Sequence, residues 1–218
     1  MSLTIVQLLA NSASTLAFDG AAAAAYADAH WAECGTAPYN GVPPSPYVCL
    51  SNDCANYASR AIHAGGYPFR TSPVTLWANW YWWSAGNNTR TWWQSDALKY
   101  FLTDRDPYIN GNPGGYVAAV TKGARDTDQY NALSRGDLLF FDWDDNGIID
   151  HVRVEVGWGT PPRTGYQANY NYSYWATGDW ADQHTPPRYH DFWNGYYHLT
   201  PTERTTVRIY QVHIRPTN

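Results

Sequence analysis

Cys54 stands in the segment Ser51-Asn52-Asp53-Cys54-Ala55-Asn56-Tyr57, and a cysteine becomes a nucleophile once its thiol gives up a proton. Ser51, Asn52 and Asp53 carry side-chain oxygens able to accept the unpaired N–H groups of a first helical turn, so a helix is expected to begin here. Ala55, Ala58, Ala61 and Ile62 recur at spacings of three and four, and Gly65-Gly66 supplies the left-handed stop. Cys54 then falls in the first turn, where free N–H groups and the positive end of the helix dipole favour a thiolate. Such a nucleophile needs a base, and the chain has seven histidines. His151 stands out: it follows Asp150, comes directly after a tight turn and opens the run His151 to Gly157. There strict alternation puts Val152, Val154 and Val156 on one face and His151, Arg153 and Glu155 on the other. A histidine at a strand start reaching a cysteine at a helix start can form an imidazole–thiolate pair, and a third polar group must orient the imidazole. With a strand over Trp180 to His184, Asp182 and His184 share a face and either can serve; alternation does not choose between them.

Around these residues the expected elements run helices first and sheet later. Thr4 to Ala10 and Gly20 to Glu33 read as helices, the second started by Asp19 and carried by Ala21 to Ala25. A proline-rich approach, Pro38 to Pro46, leads to the Cys54 helix, and Asp96 to Leu102 has a short helical pattern. Tyr116 to Val120 reads as a strand. Leu138 to Trp143 reads as a buried strand after a Gly136-Asp137 turn, and it forms a hairpin with the His151 run. Tyr166 to Trp175 reads as loop, Trp180 to Thr185 as a strand, and Thr205 to Ile214 as a closing strand of β-branched residues. This order is an α+β layout. No linker divides the 218 residues, so a single domain is expected, with a Trp-rich insert at about 77–105.

Charged residues are 15 %, aromatics 17 %, and net charge is −5. A phosphate backbone calls for a basic patch, so nucleic acid is not an expected partner; a peptide or glycan polymer is, because Tyr, Trp, Asn and Thr stack on sugars and hydrogen-bond to both. Trp77, Trp80, Trp82, Trp83, Trp92 and Trp93 lie within one short stretch. Most are expected to pack over the core, with some, in particular Trp77, Trp80, Trp82 and Trp83, lining a substrate groove. No apolar run approaches a membrane span. The first basic residue is Arg60, so no charged segment precedes an apolar leader. Of three cysteines, Cys34 and Cys49 can pair across a Pro- and Gly-rich loop and leave Cys54 free; three reduced thiols are the competing reading. Asp142-x-Asp144-x-Asn146-Gly147 imitates the opening of a calcium loop, but the twelfth position is Arg153 and strands flank it, so a polar turn is expected. No Cys/His spacing suits zinc. Neither metal nor cofactor is expected.

Several of these segments together carry a resemblance. Asp53-Cys54-Ala55-Asn56-Tyr57-Ala58-Ser59, Ala64-Gly65-Gly66, Gly136-Asp137-Leu138-Leu139-Phe140-Phe141-Asp142-Trp143, Ile149-Asp150-His151-Val152 and Gln183-His184-Thr185 with Arg188-Tyr189 resemble the putative amidase domain family. Its members are mostly secreted proteins of Gram-positive bacteria, related to NlpC-type and CHAP cell-wall peptidases of the papain-like superfamily. Tyr26-Ala27, Pro38-Tyr39-Asn40 and the Trp-rich stretch extend the likeness over nearly the whole chain. The resemblance implies a papain-like, NlpC-type fold, with the nucleophile helix packed on a small antiparallel sheet. It implies Cys54 as nucleophile with its own N–H in the oxyanion hole, His151 as base and His184 as the orienting group. It further implies hydrolysis of an amide in peptidoglycan and an extracellular or wall-associated location; the competing readings are a non-catalytic carbohydrate- or wall-binding domain on a degraded peptidase fold and an acyltransferase or transpeptidase using the same Cys–His pair. Ala55 stands where relatives usually carry Thr or Ser. Arg153 and Glu155 are charged where relatives are mostly apolar or small, from which a substrate or partner contact by Arg153 is expected.

Overall fold

The computed structural model describes residues 17–35, 41–71, 79–104, 114–159 and 178–215; the expected helix over 4–10, the loop over 166–175 and Trp77 lie outside them. Helix α1 (Gly20–His30) is alanine-rich, and Asp19 caps it by accepting the Ala22 N–H at 3.0 Å. Its small buried side chains, Ala23, Ala24 and Ala27, let it lie against α2 (Cys54–Ala64), where the Tyr57 hydroxyl donates to the Ala27 carbonyl at 2.8 Å. The expected helix over 20–33 ends three residues early, since the chain turns to bring Cys34 to Cys49 in a disulfide with Cα atoms 5.1 Å apart. Helix α2 starts after Asp53, as expected, but without the expected side-chain cap, since the Asp53 carboxylate turns to Leu50 N–H and the Asn56 amide; it stops as expected, with Gly65 N–H returning to Ala61 and Gly66 at a φ of +89° that only glycine adopts freely.

The Trp-rich stretch folds into the short pair β1 (Trp82–Ser84) and β2 (Asn87–Asn88), then α3 (Arg90–Trp93) and α4 (Ser95–Thr103). A sheet follows, made of β3 (Gly115–Lys122), β4 (Leu138–Asp142), β5 (His151–Gly159), β6 (Gly178–Gln183), β7 (Arg188–Phe192) and β8 (Arg208–Ile214). A short helix, α5 (Glu203–Thr206), precedes β8. The strands run in the order β3-β8-β4-β5-β6-β7, every neighbouring pair antiparallel. The architecture is α+β, as expected. The expected hairpin is β4–β5, with Leu138 opposite Val154 and Phe141 opposite His151.

Each face of the sheet has its own core. Leu138, Phe140, Val152, Val154, Val156, Val212 and Ile214 meet the helices α1, α2 and α4. Leu139, Phe141, Ala181 and Ile209 face the other way and are covered by Phe192, Trp193 and Leu199. Because β5 is the strand between β4 and β6, its alternate residues are buried on both faces. Between Leu133 and β4 the chain squeezes past α1 at Gly136, where φ is +84° and a Cβ would sit 2.6 Å from the Gly20 backbone.

Candidate active site

Helix α2 presents Cys54 as its first residue. The thiol is buried and lies 3.3 Å from Ser95 Oγ, at the start of α4, and 3.4 Å from Asn52 Oδ1. Burial pushes its pKa up; the Ser95 hydroxyl and the backbone N–H groups of Val152 and Ala55 oppose that shift without overcoming it. The thiolate anticipated at a helix start is therefore a thiol here, because desolvation outweighs the helix terminus. Asn52 and Ser95 also line a cleft of about 550 Å³, whose walls include Leu50, Trp82, Trp93, Gln94 and Asp150.

The helix start is anchored by a buried charge network. Asp53 Oδ1 accepts from the Leu50 N–H and the Asn56 amide, both at 2.8 Å; Oδ2 accepts from Arg60 at 3.4 Å and from His184 Nδ1 at 2.7 Å. His184 Nε2 meets the His30 carbonyl at 2.8 Å, so both ring nitrogens face oxygen acceptors. Arg60 reaches on to Glu33 at 2.7 Å, which closes the chain of charges back to the end of α1. The His184 ring stacks on Tyr57 with centroids 4.0 Å apart. Asp53 also receives Thr185 Oγ1 on its own N–H at 2.9 Å, so the turn after β6 clasps the start of α2.

His184 therefore does not orient His151: its two nitrogens serve Asp53 and the His30 carbonyl. Asp182 does not either. It pairs opposite Val154 and points to the helix face, where its Oδ1 accepts the His190 N–H at 2.6 Å. The two share a face, as alternation predicted, but it is the face turned away from His151. The His151 ring sits instead with the second core, stacked 5.8 Å from Trp143 and 6.1 Å from Phe141. It makes no hydrogen bond to Cys54 among the described residues, and its Nε2 is buried without a partner. Burial, with the Arg153 charge beside it, pulls the His151 pKa down to about 3; the Gln183 side chain works in the opposite direction. Thiol and imidazole are thus both neutral.

Two further expectations are corrected. Arg153 is not among the residues lining that cleft: it is buried on the second face, paired with Asp191 at 2.8 Å and bonded to the Phe192 carbonyl at 3.1 Å. Burial lowers its pKa to about 10. Its charge answers an internal carboxylate, since a buried guanidinium must be paired. Trp80 is wholly buried, 4.5 Å from Trp92, with its N–H on Ser59 Oγ at 3.2 Å. Trp82 is buried as well, yet its edge lines the cleft while its N–H reaches the Pro46 carbonyl at 3.1 Å. Trp83 is half exposed, packs edge-on against Phe69 at 4.8 Å and lies outside the cleft lining. Trp93 takes the lining place instead. Ser95 was not singled out from sequence, and Asn52 and Gln183 were given no place in the site there. Ser95 opens a helix directly before Asp96, and that is the only signal that could have marked it. Gln183 shares the His151 face only once the β5–β6 register is known.

The start of α2 and the cleft beside it make up the candidate site of this α+β chain. Residues 17–210 match the family described as "Putative amidase domain", and the chain belongs to that family. It is also 24% identical over 110 residues to a Bacillus subtilis (strain 168) protein described as "Uncharacterized protein YhbB". That match covers 50% of this chain and 30% of the relative. No solved structure matches the chain. Among the described residues no helix is long and apolar enough to cross a membrane.

Proposed function

We propose that this chain hydrolyses an amide bond of the bacterial cell wall with Cys54 as nucleophile, in the manner of papain-like peptidases. One observation carries the reading: Sγ touches Ser95 and Asn52, and both wall the cleft. Sulfur attacks the carbonyl carbon as its proton passes to a base. The C–N bond breaks as that proton moves to the leaving amine, and water then splits the thioester with the same base accepting its proton. The Cys54 N–H faces the developing oxyanion.

His151 is the proposed base. It opens β5 next to Val152, whose N–H already reaches the sulfur, and its neutral ring has an uncommitted nitrogen. Catalysis in this scheme needs the ring to rotate at the strand start from the Trp143 side to the cleft, with Gln183 the adjacent polar group. Trp93, Trp82, Asn88 and Gln94 give the cleft aromatic and amide surfaces suited to sugars and stem peptides. An exported, wall-associated location follows from that substrate. The packing of the His151 ring against Trp143 and Phe141, on the other face of the sheet, favours a second reading, a wall-binding module that has lost turnover.

Incubation with purified sacculi followed by mass spectrometry of the soluble muropeptides tests both. Cleaved amides with wild type and none with Cys54→Ala are expected. Sacculus binding without cleavage by wild type selects the binding module, and unchanged cleavage by Cys54→Ala refutes the nucleophile.

A further inference from the structure

We propose that Asp28, Asp182 and His190 form a binding site for one divalent transition-metal ion of the zinc class, clamping α1 to the β6–β7 hairpin. The three side chains come from three elements, and their ligand atoms lie within 4.8 Å of one another. His190 Nε2 is 2.7 Å from Asp28 Oδ1. Asp182 is fully buried; its Oδ1 accepts the His190 N–H, and its Oδ2 has no hydrogen-bond donor. The neighbour that its carboxyl meets is another carboxyl, that of Asp28. Two carboxylates brought together around an unpartnered buried oxygen call for a positive charge between them, and a cation there answers this arrangement directly.

The donor set of one imidazole and two carboxylates suits zinc and its neighbours better than calcium, which prefers six or more oxygens. Supporting contacts are already in place. The His190 N–H holds the Asp182 carboxyl, and the His190 ring lies edge-on to Trp180 at 4.1 Å and stacks on Tyr189 at 3.6 Å. Asp28 keeps 38% of its side chain exposed, which leaves an entry route from solvent. The acidic turn of Asp142, Asp144 and Asp150 differs, because Asp142 is occupied by the Asn146 and Gly147 N–H groups and Asp150 by that of Trp143.

Titrating the metal-stripped full chain with Co²⁺ reads the site by visible absorption, and calorimetry with Zn²⁺ gives its stoichiometry. The expected result is one ion per chain with low-symmetry Co²⁺ bands. Affinity falls at least about tenfold in Asp28→Asn, a half-exposed position that leaves the fold intact, and in His190→Gln. Asp144→Asn leaves binding unchanged. No binding to wild type, binding that survives Asp28→Asn, or loss of binding in Asp144→Asn would each overturn the proposal.

Discussion

Replacing His151 by phenylalanine keeps an apolar ring against Trp143 and removes a group that burial holds neutral. In the unfolded chain the imidazole titrates near its ordinary value of 6.5, whereas in the folded chain it does so at about 3. A depressed folded pKa adds stability that is present above pH 6.5 and is lost as pH falls toward 3, because the unfolded state takes up a proton that the folded state refuses. Between pH 7 and pH 5 this one residue should take about 2 kcal/mol from the stability of the wild type. Every other titrating group is common to both chains, so the difference between wild type and His151→Phe isolates it. Urea unfolding at the two pH values gives the two differences, and the variant should lose about 2 kcal/mol less. Equal losses would refute the buried neutral imidazole. A smaller loss in wild type than in the variant would signify the opposite shift, as an imidazolium paired with the Cys54 thiolate would produce.

Three more outcomes follow from contacts described above. Ser95→Ala removes a hydrogen bond that favours the thiolate, so alkylation of Cys54 by iodoacetamide should slow about fivefold at fixed pH, the equivalent of ~1 kcal/mol. Asp53→Asn takes the carboxylate away from the buried Arg60 guanidinium, which keeps only Glu33, and from the His184 ring, and a loss of about 3 kcal/mol is expected by urea unfolding. Cys34→Ala with Cys49→Ala opens a loop spanning 15 positions and should cost about 3 kcal/mol by the same measurement; a smaller loss would mean the loop is held by its contacts.

How much of this was legible in the sequence differs between backbone and site. The limits of α2 and the β4–β5 hairpin follow from short-range chemistry: caps, a glycine pair, alternating valines and a polar turn between them. Cys54 at a helix start was readable for the same reason. The bonds of His184 were not, since Asp53 lies 131 positions away and only tertiary packing puts them 2.7 Å apart. Strand β7 was not read, because its polar Arg188, His190 and Asp191 carry no apolar alternation, whereas Asp191 is buried against Arg153. The roles of Trp80 and Trp83 were likewise indistinguishable by residue type. Composition predicts that indoles divide between core and cleft, and which one goes where depends on partners such as Ser59 and Pro46.

The Cys34–Cys49 disulfide ends five residues before the free thiol of Cys54. A chain with three cysteines has three ways to close one bridge, and a nearby thiolate is the species that would reshuffle them. Burial of the Cys54 sulfur keeps it protonated and out of contact with attacking disulfides, so the folded state guards its own pairing against scrambling.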